Sequence, residues 1–104
     1  MAIMAIYRSA GVDRAKYDAV INELDSKRTP EPGNIVHLAG FTDADNICVI
    51  DVWESRELLE KFGERLVPVL RKHGIPDQTP EVIELYGLIA TDGVDGYKAR
   101  LQPA

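Results

Sequence analysis

Two ionisable residues fall where a pair of strands would bring them together: His37 and Asp51. The stretch Thr42 to Asn46, holding Asp43 and Asp45, has turn chemistry, and a hairpin centred near Ala44 sets His37 opposite Asp51. The same register sets Ile35 opposite Trp53 and Phe41 opposite Ile47. A carboxylate beside an imidazole orients it or keeps it protonated, which suits a general base or a hydrogen-bond donor to an oxyanion. The pair equally suits a buried, mutually satisfied couple that specifies an interface. His37 and Asp51 are thus the candidate catalytic pair, and Trp53, Tyr86, Tyr7 and Glu84 the candidate substrate-binding residues. Trp53 either walls in a flat ligand or fills the core, and Glu84 either faces the ligand or meets an Arg or Lys of a partner. His73 reads as structural, an imidazole in the last turn of a helix. The two histidines fall on different elements and no ligand set has zinc spacing, so no metal is expected. A phosphate loop, a nucleophile elbow and a dinucleotide fingerprint are all missing from the sequence.

The elements that must position these residues centre on Ile47 to Phe62, a strand passing directly into a helix. Cys48, Ile50 and Val52 form one alternate set, all apolar; Ile47, Val49, Asp51 and Trp53 form the other, so both faces are covered. Ser55 stands where an N-cap belongs, with Glu57 in the first turn. Leu58, Leu59, Phe62, Leu66, Val69 and Leu70 recur at helical spacing. Pro68 predicts a kink or break, and Gly74 followed by Pro76 a stop.

Elsewhere, Ala2 to Arg8 reads as a first strand. Asp13 to Ser26 reads as a helix, with Asp13 as cap and Tyr17, Val20, Ile21 and Leu24 as its apolar stripe. Arg28 to Gly33 is a loop, because Pro30 and Pro32 cannot continue a helix. Asn34 to Phe41 is a second strand, and Pro80 to Ala90 the last. The order strand, helix, strand, strand, helix, strand gives an α+β, ferredoxin-like βαββαβ domain over residues 1–90: a four-stranded antiparallel sheet with both helices on one face. Residues 91–104 are expected to be a C-terminal tail packing on the domain or on a partner subunit.

The helix-free face is expected to carry Ile3, Ala5, Tyr7, Ile35, Ala39, Phe41, Ile47, Val49, Trp53, Val82, Tyr86 and Leu88, too much apolar area to leave wet. A second copy of the chain would cover it, so a homodimer is expected, with His37 and Asp51 in a space between the two sheets.

Composition excludes several classes. The chain has 104 residues, one domain's worth, and 45% hydrophobic with 28% charged residues is ordinary for a globular protein. With a net charge of −5 and no basic stripe, neither nucleic acid nor an acidic membrane surface is an expected partner. The single cysteine, Cys48, reads as a small core residue. Neither a signal peptide nor a membrane-length apolar run is visible, so the expected location is cytoplasmic.

The passage Asp51-Val52-Trp53-Glu54-Ser55-Arg56-Glu57-Leu58, with this element order, resembles the antibiotic-biosynthesis monooxygenase-type members of the dimeric α/β-barrel superfamily. In element order the resemblance spans residues 2 to 90. It implies a ferredoxin-like homodimer and, in active relatives, a cofactor-independent oxidation of small phenolic or quinol compounds in a pocket that Trp53 would line. Many relatives carry a histidine on the following helix, where this chain has Phe62; relatives that degrade haem use a helical histidine as iron ligand, so no haem and no other cofactor is expected. His37 would then be the proton-transfer group. Three readings stay open: a cofactorless oxygenase or related proton-transfer enzyme, a non-catalytic binder of a small aromatic ligand, and a structural dimerisation module.

Overall fold

The computed structural model describes residues 1–24 and 31–98. Its elements are β1 (Ile3–Ala10), α1 (Arg14–Leu24), β2 (Asn34–Asp43), β3 (Asn46–Trp53), α2 (Arg56–Lys72) and β4 (Glu81–Glu84), followed by a short 3-10 helix at Asp92–Gly96. The strands form one antiparallel sheet in the order β2-β3-β1-β4, an α+β ferredoxin-like arrangement. β1 runs two residues further than its apolar run indicates. β4 is shorter than the expected Pro80 to Ala90, although the amide of Leu85 still donates to the Ala2 carbonyl at 2.9 Å. The expected helix end at Ser26, the loop over Arg28 to Pro30 and the tail beyond Lys98 lie outside the described residues.

Both helices carry the caps their sequences encode. The Lys16 amide donates to Asp13 Oδ1 at 2.9 Å, and the Leu58 amide to Ser55 Oγ at 3.2 Å. At the far end of α2, Gly74 adopts φ +74°; its amide donates to the Arg71 carbonyl and that of Ile75 to the Leu70 carbonyl, a Schellman stop that buries Ile75. Of the kink or break expected at Pro68, the break does not occur: α2 runs continuously from Arg56 to Lys72. A proline ring forfeits one hydrogen bond, and the apolar contacts of Phe62, Leu66, Val69 and Leu70 on either side of it hold the helix on the sheet.

The hairpin register matches the expectation at its centre, with His37 opposite Asp51 and Phe41 opposite Ile47. It departs at both ends: beside the turn Asp43 pairs with Asn46, and at the far end Asn34, not Ile35, faces Trp53, because a bulge between Asn34 and Val36 turns Ile35 out to 49% exposure.

The larger correction concerns the faces. Val20, Leu24, Ile47 and Ile75 form one core, joined by Phe41, Val49 and Phe62; Ile3, Ala5, Trp53 and Leu59 form another, joined by Tyr7, Val82 and Phe62. Of the set expected on the open face, Ile3, Ala5, Tyr7, Phe41, Ile47, Val49, Trp53 and Val82 therefore lie under the helices, while Ile35, Ala39, Tyr86 and Leu88 are exposed. The sheet's outer surface carries the purer set instead: Met4, Ile6, Val36, Leu38, Cys48, Ile50, Val52 and Ile83. Alternation sorts residues into two faces but does not say which one the helices cover. That is fixed by the right-handed β1–α1–β2 crossover, which hydrophobicity does not encode.

Candidate functional site

The polar residues of the inner face converge on Asp51. It lies two residues from the C-terminal end of β3, an interior strand, and is 6% exposed. A lone carboxylate at that depth is costly, and its neighbours supply the compensation. His37 Nδ1 lies 2.7 Å from Asp51 Oδ1, and Asn34 Nδ2 approaches the same oxygen at 3.5 Å. The other imidazole nitrogen is also taken: His37 Nε2 lies 2.6 Å from the hydroxyl of Tyr17 on α1. The Tyr17 ring stacks over His37 at 6.0 Å between centroids and 14° between planes, and meets Phe41 edge-on at 6.3 Å. Arg14, one turn earlier on α1, lays its guanidinium 4.6 Å from the centre of the Phe41 ring.

With the imidazole neutral, the tautomer follows from the chemistry of its two partners. A phenol beside a neutral imidazole donates, and a carboxylate accepts, so the hydrogens run Tyr17 Oη–H to Nε2 and Nδ1–H to Asp51. Burial foremost, and then the Asp51 charge, push the Tyr17 hydroxyl up to about 12, which keeps it protonated and donating. Tyr7, on β1 beside this cluster, is pushed up to about 12 for the same two reasons. Tyr17 is the functional candidate that sequence reasoning missed, because it reads as one more member of the apolar stripe of α1. The available signal was its hydroxyl, which needs a partner once the ring is buried.

Trp53 closes the inner end of the same face. It is 1% exposed, its ring 5.1 Å from that of Phe62, and its indole N–H is buried without a hydrogen-bond partner among the described residues. Such a donor is uncommon in a folded interior and points to an acceptor that completes it.

The other expected site residues fall elsewhere. Glu84 is exposed at the end of β4, opposite Ile3 and two strands away from Trp53. Tyr86 lies beyond β4 and is fully exposed among the described residues; the shortening of β4 carries it off the sheet. His73 ends α2 with Nε2 3.0 Å from Glu23 Oε1, a link between the two helices that fits its structural reading. A cavity of about 280 Å³ opens at the other end of β1 and β3, lined by Arg8, Ser9, Ala10, Thr42, Asn46, Ile47 and Cys48, and includes none of the residues around Asp51. Among the described residues, no group of three His, Cys, Asp or Glu side chains could hold a metal ion, and no helix is long and apolar enough to cross a membrane.

No family model matches the sequence, and no curated protein does. Solved structures do resemble the fold. A candidate antibiotic biosynthesis monooxygenase of Chloroflexus aurantiacus J-10-fl superposes with a TM-score of 0.63 at 16% identity, over 86% of this chain and 98% of that one. Rv0793 of Mycobacterium tuberculosis gives 0.59 at 14% identity, over 88% and 100%. SnoaB, a cofactor-independent oxygenase of Streptomyces nogalater, gives 0.58 at 10% identity, over 86% and 97%. The chain therefore has the fold of the antibiotic biosynthesis monooxygenase-like proteins.

Proposed function

We propose that this protein binds a small phenol or quinol between the inner face of its sheet and its helices, and oxidises it with dioxygen without a cofactor. The observation that carries this reading is buried Asp51, hydrogen-bonded to the partly exposed His37, on the same face as the Trp53 indole N–H, which has no partner among the described residues. A carbonyl or phenolic oxygen of the ligand would accept from Trp53, and its acidic hydroxyl would deliver a proton to the group that Asp51 and His37 support. The phenolate so formed is electron-rich enough to reduce dioxygen. For a simple phenol the balance is phenol plus dioxygen to quinone plus water, the substrate supplying all four electrons. The likeness in fold to SnoaB is consistent with such chemistry.

The reading includes a homodimer built through the outer sheet face. Leu38 and Ile83 there are 53% and 43% exposed on a mainly apolar surface edged by Arg8 and Glu81, and a second copy would cover both.

One observation favours a second reading, binding without turnover: both nitrogens of His37 are already engaged. Incubating the protein with a panel of phenols and quinols, with and without air, separates the two. Oxygen-dependent consumption that is lost in His37→Ala supports the enzyme, and saturable binding with no consumption supports the carrier.

A further inference from the structure

We propose that Tyr17, rather than His37, is the group that meets the ligand: the outer end of a Tyr17–His37–Asp51 proton relay. This rests on the reading above that a phenol or quinol binds at this face. With Nε2 2.6 Å from Tyr17 Oη and Nδ1 2.7 Å from Asp51 Oδ1, the imidazole has no free nitrogen to offer a substrate. Tyr17 does have capacity. Its hydroxyl donates to Nε2 and keeps a lone pair for an incoming O–H, and the side chain is only half-buried.

The step balances as a double proton transfer. The substrate O–H breaks and its proton passes to Tyr17 Oη, while the Tyr17 proton passes to His37 Nε2. The resulting imidazolium lies against the Asp51 carboxylate, and the substrate is left as its phenolate; no electrons move. The Arg14 guanidinium, held 4.6 Å from the centre of the Phe41 ring that meets Tyr17 edge-on, is, among the described residues, the positive charge packed nearest to this aromatic group and would favour an anion there. The arrangement parallels a hydroxyl–imidazole–carboxylate triad, with a phenol in place of an alcohol.

The test uses the full-length protein and Tyr17→Phe, which keeps the ring that packs on His37 and Phe41 and deletes only the hydroxyl. The first probe is 4-nitrophenol, whose phenolate absorbs visibly. Bound to the wild type, it should ionise at lower pH than in free solution, and bound to Tyr17→Phe it should lose that shift while its affinity changes less than about threefold. With whichever phenol or quinol is consumed, turnover should fall about a hundredfold or more in Tyr17→Phe, and comparably in His37→Gln, the scale of losing an acid–base group. A wild type that turns substrate over while Tyr17→Phe stays within about threefold of it overturns the relay and leaves the proposed function standing. A wild type that binds no member of the panel overturns both.

Discussion

At the scale of single residues, Asp51 governs the behaviour of its neighbours. Removing His37 leaves a buried carboxylate with, among the described residues, the long side-chain contact to Asn34, so His37→Ala should lower unfolding free energy by about 2 kcal/mol, measurable by urea denaturation. Tyr7 and Tyr17 supply a pH dependence. Their ionisation in the folded protein is pushed up to about 12 from an ordinary value of 10.0. Between those values the folded state holds more protons than the unfolded, so stability is fully present below pH 10 and is lost as pH rises toward 12. Ultraviolet titration should therefore show two late-ionising tyrosines, and Asp51→Asn should bring both earlier. The pairing of His37 with Asp51 was legible because turn residues fix hairpin register. The hydrogen bond from Tyr17 was not, because it spans a helix and a strand whose contact depends on the face that the helix covers.

Element by element, termini were easier to read than extents. Ser55, Asp13 and Gly74 declare their roles through side-chain chemistry or the lack of a side chain, and Ser55→Ala should cost about 1 kcal/mol in a thermal or urea melt. Gly33 is a stronger case. It sits at φ +83°, its carbonyl accepts from the Glu54 amide at 2.9 Å, and an added Cβ would collide with the Leu58 side chain at the start of α2. Gly33→Ala should cost about 2 kcal/mol or more, combining left-handed strain with displacement of Leu58. The bulge at Ile35 and the short β4 were not readable from alternation, since a single extra residue or an early end changes pairing without changing composition.

For the whole molecule, the two faces of the sheet divide the work: polar chemistry under the helices, and an apolar outer surface. If that surface joins two copies, Leu38→Glu should give monomers in sedimentation velocity where the wild type gives dimers. Its effect on the fold itself should be small, because Leu38 is half exposed in the single chain. Sequence pattern supplied the architecture and both sets of residues but exchanged their faces, since crossover handedness leaves no hydrophobic trace. The central claim, a phenolic ligand seated against the inner face, has a built-in reporter: Trp53 is the chain's one tryptophan, buried beside Phe62 with its N–H unpaired among the described residues. Titrating the protein with phenols and quinols while recording tryptophan fluorescence should give a saturable change with at least one compound, diminished in Asp51→Asn. A spectrum that stays unchanged across the panel to millimolar concentration would contradict the account.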